Sequence, residues 1–211
     1  MLFRSLVAVP FSPVPGPRLL ADSDAARDAL LTALVAETGT LGASSLHVNF
    51  CREDEWTFLG QRKLAQRTGE QFHWHNRGYD SFDAFLGDLA SRKRKAVRKE
   101  REVAAAGGTI TFRTLQGADI EEAHWDAFFA FYMDTGSRKW GRPYLTRKFF
   151  SLLGERLADR VLLVMARRAG RYVGGALNLI GDHALYGRNW GAVEDHPCLH
   201  FEACYYQAIE I

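Results

Sequence analysis

The order of elements in the second half of the chain constrains its fold most. Hydrophobic patterning predicts a strand from residue 109, helices over 119–133 and 146–157, strands over 161–167, 172–180 and 184–190, and a helix from His200. Gly181 and Asp182 supply a tight turn, so the last two strands are neighbours and antiparallel. This order predicts a sheet with helices packed on it, an α/β (α+β) architecture.

The final helix is predicted to bury one apolar stripe, with Glu202, Tyr206 and Glu210 elsewhere. Four side chains at helical spacing form that stripe: Phe201, Cys204, Tyr205 and Ala208. No stop signal follows the helix at Ile211, and a strand begins almost directly after Met1. We therefore expect a fragment that is truncated at both ends.

The first half predicts a second α/β segment. A strand over 4–10 leads into a proline-rich connection over 10–17, and Asp22 or Ser23 caps a helix that ends at Glu37. The predicted buried stripe of this helix is Leu30, Leu31, Leu34 and Val35. Strands are predicted over 45–50 and 71–75, with a short helix over 53–60 between them.

Asp80 is predicted to cap a further helix, which continues into the most biased stretch of the protein. Residues 91–101 contain seven basic side chains and one acidic side chain. Because Gly107 and Gly108 end this helix and a new strand follows, we predict a domain boundary near residue 108.

Composition narrows the class of protein but not its partner. The apolar fraction of 47% is ample for a packed core, while the net charge of +2 indicates no partner by itself. Three cysteines without CxxC spacing are typical of reduced thiols, and no segment has the apolar length of a membrane span. We therefore expect a cytoplasmic protein.

The chain resembles the FemAB-like family of peptidoglycan biosynthesis/recognition proteins, which are bacterial relatives of the Fem aminoacyltransferases and of the GNAT superfamily. The residues that carry the resemblance are Val7-Ala-Val-Pro-Phe11, Gly16-Pro-Arg-Leu-Leu20, Phe72-His-Trp74, Gly78-Tyr79, Phe82-Asp-Ala-Phe-Leu86, Ser91-Arg-Lys-Arg-Lys95, Phe131-Tyr132, Tyr144-Leu-Thr146, Leu185-Tyr-Gly-Arg188, Trp190-Gly191, Leu199-His-Phe-Glu202 and Cys204-Tyr-Tyr-Gln207. They span almost the whole chain.

The resemblance implies tandem GNAT-like (acyl-CoA N-acyltransferase) domains, both incomplete, over residues 1–108 and 109–211. It implies an N-acyltransferase or aminoacyltransferase, with aminoacyl-tRNA or acyl-CoA as acyl donor and a small molecule or peptidoglycan precursor as acceptor. Three alternatives stay open: a non-catalytic peptide or glycan recognition module, a nucleic-acid binder, and an ordinary acetyl-CoA-dependent GNAT acetyltransferase. Neither the oligomeric state nor a cofactor follows from the sequence.

The junction between the last strand and the final helix is the candidate catalytic site. Tyr186, Arg188 and Trp190 alternate on one predicted strand face, and His200 and Glu202 begin the helix. Acyl transfer needs a base near the acceptor amine and donors near the developing oxyanion. Arg188, His200 and Glu202 are therefore candidate catalytic residues.

Three aromatic side chains of this region are candidate substrate-binding residues: Tyr186, Trp190 and Tyr206. The alternative is that Tyr186 and Trp190 belong to the core and that Arg188 and Glu202 form a structural ion pair. Cys204, on the predicted buried face, is not expected to be a nucleophile.

The basic stretch is the candidate nucleic-acid contact, because Lys and Arg on one helix neutralise phosphates. The residues concerned are Arg92, Lys93, Arg94, Lys95, Arg98 and Lys99. These residues suit tRNA as a partner. The alternative is that they form a solvated helix face that binds no nucleic acid.

The connection over 191–199 argues against two further ligands. His196, Cys198, His200 and Cys204 have ligand chemistry, but their spacing matches no common zinc site, so no metal site is predicted. Glu194 and Asp195 lie where a GNAT-like fold would hold the pyrophosphate of an acyl-CoA. We therefore expect that acetyl-CoA is not held in the ordinary GNAT manner.

Overall fold

The computed structural model describes residues 4–8, 14–138 and 143–211, and it divides the chain into two compact units, 1–74 and 75–211. Residues 9–13 lie outside the described residues. They include the end of the predicted first strand, most of the predicted proline-rich connection, and Val9, Pro10 and Phe11 of the resemblance. The described part of the chain is α/β, as predicted.

The first unit pairs two short parallel strands with two helices. Its elements are β1 (Arg4–Val7), α1 (Asp24–Thr40), β2 (Ser45–Val48) and α2 (Glu53–Gln61). Ser23 caps α1, because its side chain accepts a hydrogen bond from the Ala26 backbone N–H. Glu55 is 1% exposed and accepts hydrogen bonds from the backbone N–H groups of Arg18 and Leu19.

Two predictions for the first half are wrong. Leu30 and Val35 are 38% and 56% exposed, so only Leu31 and Leu34 of the predicted stripe face the core. Residues 71–75 form no strand, and Phe72 is 85% exposed. Alternation of apolar and polar residues does not make a strand where no neighbouring strand accepts its hydrogen bonds.

The second unit follows the predicted order of elements. It contains α3 (Phe82–Asp88), α4 (Ser91–Ala104), β3 (Ile110–Gln116), α5 (Glu122–Arg138), α6 (Arg147–Leu157), β4 (Val161–Arg168), β5 (Arg171–Ile180), β6 (Leu185–Ala192), α7 (Leu199–Phe201), a π-helical turn (Glu202–Tyr206) and α8 (Gln207–Glu210). The four strands form one antiparallel sheet in sequence order, which confirms the predicted antiparallel arrangement of the last three.

Helices cover both faces of this sheet. Aromatic side chains of α5 and α6 pack on one face against alternate residues of β4 and β5 such as Leu163 and Leu177. The intervening residues Val164 and Ala176 point to the other face and contact Ala203 of the π-helical turn. The alternation therefore places the C-terminal helical segment on the face opposite α5.

The predicted continuous helix from Asp80 through the basic stretch is interrupted. Ser81, and not Asp80, caps α3, since its side chain accepts from the Ala84 backbone N–H. Leu89 is extended, with φ −82° and ψ 145°, and α4 begins two residues later. The basic helix α4 lies within the second compact unit, whereas the sequence placed it at the end of the first domain.

The predicted apolar stripe of the C-terminal helix is wrong at Phe201 and Tyr205, whereas Cys204 packs against the core as predicted. Phe201 and Tyr205 are 51% and 40% exposed, whereas Glu202 and Ala203 are 3% and 0% exposed. The buried stripe instead consists of Leu199, Glu202 and Ala203, at i, i+3 and i+4. It includes a charged residue because Arg101 neutralises the Glu202 carboxylate, a contact that a pattern of apolar residues does not reveal.

A β-bulge at Arg188 breaks the predicted shared face of β6. Tyr186 pairs with Leu179 and Trp190 pairs with Ala176, but Gly187 and Asn189 pair with consecutive residues of β5, so Arg188 is the extra residue. A bulge reverses the alternation of side chains beyond it. Tyr186 and Trp190 therefore point to opposite faces of the sheet.

Candidate functional site

A cleft of about 260 Å³ lies at the end of the sheet where β6 leads into α7. The last turn of α5 forms one wall, the end of β6 forms the floor, and the connection to α7 forms the other wall. The side chains that give it chemistry are Thr135, Arg138, Trp190, Glu194, His196 and His200. Such a concave site with a few convergent polar groups is typical of ligand binding.

Glu194 and His196 form a carboxylate–imidazole pair in this cleft. His196 Nε2 lies 2.8 Å from Glu194 Oε2, and the His196 side chain is 18% exposed. Arg168 Nη1 donates to the same carboxylate at 3.1 Å. The hydrogen bond from His196, followed by that from Arg168, holds the pKa of Glu194 below its usual range. The carboxylate is therefore ionised at neutral pH.

This pairing fixes which nitrogen of the ring is available. An ionised carboxylate only accepts hydrogen bonds, so Nε2 of His196 carries the proton and donates it to Glu194. In the neutral imidazole, Nδ1 is then an acceptor. The pair has the arrangement of a general base with an orienting carboxylate.

Arg138 places a cationic group at the opposite wall. Its Nη2 donates to the Ala192 backbone carbonyl at 2.6 Å and also contacts the Asp134 carboxylate, one turn earlier on α5. The first bond attaches the end of α5 to the end of β6. The guanidinium thereby stands at a fixed position on the rim of the cleft.

Aromatic rings continue from the cleft onto the neighbouring surface. The centroid of the His200 ring lies 5.2 Å from that of Trp190 and 5.8 Å from that of Tyr205. Phe201 and Tyr205 are themselves 5.9 Å apart with an interplanar angle of 33°. His200 and Trp190 are thus the two sequence-predicted site residues that line the cleft.

Glu202 lies elsewhere, in a buried ion pair. Arg101 of α4 donates to both of its carboxylate oxygens, with nitrogen–oxygen distances of 2.9 to 3.2 Å. Gln207 Nε2 donates to Glu202 Oε1 at 2.7 Å. The alternative considered for Arg188 and Glu202, a structural ion pair between them, does not form, because Arg188 Nη2 instead donates to the Tyr144 hydroxyl at 2.8 Å.

Tyr206 and Cys204 are also held by structural contacts. The Tyr206 hydroxyl donates to the Glu100 carboxylate, and burial together with this bond raises the Tyr206 pKa. Burial raises the pKa of Cys204 to about 12, so its thiol is protonated and a poor nucleophile at neutral pH. Tyr206 joins the C-terminal segment to α4 and does not line the cleft.

The basic side chains of α4 form an exposed cationic surface. Arg98 and Lys99 have carboxylates of Asp83 and Glu102 at 3.3 Å. No carboxylate among the described residues lies within 4 Å of the side-chain nitrogens of the other four candidates, Arg92, Lys93, Arg94 and Lys95. This surface is therefore only partly neutralised by the protein itself.

The sequence does not identify Arg138, Glu194 and His196 as residues that line one cleft. From the sequence, Glu194 is expected only to disfavour phosphate, and His196 has only the chemistry of a metal ligand. A carboxylate two residues before a histidine, in the connection that leaves a strand end, was the available signal. Nothing in the sequence indicated that Arg138 reaches the end of β6, which is 54 residues away.

Two further features bear on membrane and metal-dependent functions. In the described ranges, no helix is both long and apolar enough to cross a membrane. Within the same ranges, no three His, Cys, Asp or Glu side chains converge as metal ligands.

Comparison with known protein families gives a match over nearly the whole chain. A family model named FemAB-like, described as peptidoglycan biosynthesis/recognition, matches residues 4–211. No curated protein matches the chain.

Proposed function

Because this chain belongs to the FemAB-like family of peptidoglycan biosynthesis/recognition proteins, we propose that it transfers an acyl or aminoacyl group to an amine of a peptidoglycan precursor. The observation that carries the proposal is the Glu194–His196 pair in the cleft at the end of β6. An amine acceptor must lose a proton during acyl transfer, and an oriented imidazole is suited to take it.

In the proposed reaction, the amine nitrogen of the acceptor attacks the carbonyl carbon of the donor ester or thioester. His196 Nδ1 takes a proton from the attacking nitrogen and later gives it to the departing oxygen or sulfur. Glu194 stays ionised and stabilises the imidazolium that forms between these steps. One amide bond forms, one ester or thioester bond breaks, and the protein returns to its starting state.

Arg138 supplies the remaining electrostatic element. Negative charge develops on the carbonyl oxygen as the amine attacks, and a guanidinium fixed on the rim of the cleft stabilises that charge. Trp190 and His200 offer ring faces on which the acceptor rests. Of the sequence candidates, His200 and Trp190 keep a place in this proposal.

We propose aminoacyl-tRNA, and not acyl-CoA, as the donor. Glu194 and Asp195 face the cleft where the phosphates of an acyl-CoA would need cationic or N–H partners, and like charges there disfavour binding. The exposed cations of α4 offer phosphate contacts of the kind that tRNA requires. The tandem GNAT-like arrangement also stays a proposal, supported by the order of elements from β3 to α7.

Turnover of aminoacyl-tRNA with a peptidoglycan precursor tests the reaction. We expect His196→Ala to lower kcat by about 100- to 10,000-fold, since general-base catalysis contributes that much. The control is His183→Ala, in the exposed turn between β5 and β6. Equal activity of the two variants would contradict the role of His196.

Two binding measurements test the donor. Binding of tRNA should weaken as salt rises, and removing Lys93 or Lys95 should each flatten the log–log slope by about one. Lys148→Gln, an exposed charge on α6, should leave the slope unchanged. Calorimetry with acetyl-CoA should show no heat, and micromolar binding at physiological salt would favour an ordinary acetyltransferase.

A recognition module is the second candidate function. It is favoured by the exposure of Phe201 and Tyr205 beside the cleft, because exposed aromatic rings are typical of binding surfaces. Binding of peptidoglycan fragments without turnover in the presence of either donor would support recognition over catalysis.

A further inference from the structure

Arg188 is a partly buried cation with no acidic partner. Its guanidinium makes one hydrogen bond, from Nη2 to the Tyr144 hydroxyl at 2.8 Å. No Asp or Glu carboxylate in the described ranges lies within 4 Å of its nitrogens. Every one of the chain's 25 acidic residues falls within those ranges, so the comparison includes all of them.

The position of the guanidinium is fixed from two sides. On the backbone side, Arg188 is the extra residue of the β-bulge in β6. On the side-chain side, Tyr144 is itself held, because the Tyr132 hydroxyl accepts from the backbone N–H groups of Tyr144 and Leu145 at 3.0 and 3.1 Å. Tyr132 is 9% exposed and packs against Phe150, so this chain of contacts is anchored in the core.

Arg101 is a structural arginine of the same protein with which Arg188 can be compared. Its guanidinium binds both Glu202 and Glu210 and lies 4.4 Å from the centre of the Phe82 ring. Arg188 has the same guanidinium chemistry, but the Tyr144 hydroxyl takes the place of the carboxylates. A guanidinium presents up to five donors in a planar fork that matches a carboxylate. Four of these donors on Arg188 have no acceptor among the described residues.

We propose that Arg188, held by Tyr144, binds a carboxylate of the acceptor. The inference rests on the proposed function, since it takes a peptidoglycan precursor as the ligand. Arg188 lies four residues before Ala192 at the floor of the cleft, which is about 13 Å along a strand. This spacing suits a peptide of three to four extended residues, with its carboxylate at Arg188 and its amine near His196.

Calorimetry on the full chain with muropeptides tests the proposal. Muropeptides released from peptidoglycan are used in two forms, with carboxylates free and with carboxylates converted to carboxamides. The wild-type protein should bind the free-acid form more tightly. Arg188→Gln should weaken binding of that form by about 10- to 100-fold, the usual contribution of a hydrogen bond to a charged group. Its affinity for the amidated form should change by less than about threefold, because no charge pair is lost.

Two further variants sharpen the result. Tyr144→Phe removes only the hydroxyl that orients Arg188, so a smaller loss confined to the free-acid form is expected. Arg113→Gln is the matched control, as an exposed arginine on β3 at the opposite edge of the same sheet. Circular dichroism melting of each variant identifies any loss of binding that comes from unfolding.

The outcomes separate this proposal from the proposed reaction. Equal loss for both muropeptide forms in Arg188→Gln, or no binding of either form to the wild type, would overturn the carboxylate site. Binding that depends on Arg188 and on the carboxylate, without acyl transfer, would support the site and reject catalysis. If the rate of acyl transfer changes neither when the muropeptide carboxylates are amidated nor in Arg188→Gln, the result would support catalysis and reject the carboxylate site at Arg188.

Discussion

Glu202 shows how burial changes the role of a single side chain. The residue is 3% exposed, and its carboxylate accepts three hydrogen bonds from Arg101 and one from Gln207. Removing one partner of a buried ion pair leaves the other charge without compensation, which costs about 3 to 5 kcal/mol. Glu202 therefore contributes to the stability of the fold and does not line the cleft.

We predict that Glu202→Ala destabilises the protein by about 3 kcal/mol. The control is Glu210→Ala, which removes a second carboxylate from the same Arg101 but at a side chain that is 47% exposed. That change should cost less than about 1 kcal/mol. Urea unfolding measures both values, and comparable losses would contradict the assignment of Glu202 to the fold.

Glu194 predicts a dependence of stability on pH. Its folded-state pKa is lowered by His196 and Arg168, so its stabilising effect is present above the ordinary glutamate pKa and disappears as pH falls through the folded value. The melting temperature of Glu194→Gln should therefore lie below that of the wild type at neutral pH and approach it under acid conditions. A difference that stays constant from pH 7 to pH 3 would be inconsistent with an ionised Glu194.

At the scale of the element, β6 can pack closely against α5 because Gly191 has no side chain. A Cβ at Gly191 would lie 2.4 Å from the Phe131 carbonyl oxygen, whereas a Cβ at Gly187 would meet only Asn178 Oδ1 at 3.7 Å. Backbone atoms of a packed helix do not move aside cheaply. The strand and the helix therefore approach each other as closely as a glycine allows.

We predict that Gly191→Ala destabilises the protein by about 1 to 3 kcal/mol through overpacking. Gly187→Ala on the same strand should change the free energy of unfolding by less than about 1 kcal/mol. Thermal melting monitored by circular dichroism compares the two. A tolerated Gly191→Ala would mean that β6 can move away from α5.

Elements with long hydrophobic patterns were predictable, and local departures from regular geometry were not. The order from β3 to β6 follows from periodicity, because many residues contribute to each pattern. The bulge at Arg188 shifts the register of β6, and the ion pair with Arg101 buries Glu202 in the C-terminal helix. A local pattern contains neither feature. For this reason the residues predicted for one face of β6 lie on two.

The candidate site was located but only partly identified. The junction of β6 and α7 was predicted, and His200 and Trp190 do line the cleft there. Glu194 and His196 lie in an irregular connection, where no periodicity marks a side chain as inward-facing. The role proposed for them rests on the 2.8 Å distance between His196 Nε2 and Glu194 Oε2, which the sequence does not contain.

At the scale of the whole molecule, the boundary between the two compact units falls in a stretch, residues 62–81, that carries no helix or strand. It includes the exposed side chains of Arg67 and Arg77. By contrast, the basic residues of α4 lie within a 14-residue helix. Proteases cleave exposed irregular segments much faster than helices.

We predict that brief trypsin treatment cuts at Arg67 or Arg77 before it cuts at any basic residue of α4. Mass spectrometry of the early fragments should show pieces that end at one of these two arginines. Replacing both by Gln should delay fragmentation. Early cleavage within 92–101 would show that α4 is not stably helical in solution.

The ion pair between Arg101 and Glu202 can form only late in synthesis of the chain. The two residues are 101 positions apart in the chain. At about 5 to 20 residues per second, roughly 5 to 20 s of translation separates their appearance. During that interval the apolar ring of Phe82 and the inner side of α4 have no partner from the C-terminal segment. The basic helix can therefore dock on the C-terminal segment only after Glu202 has left the ribosome.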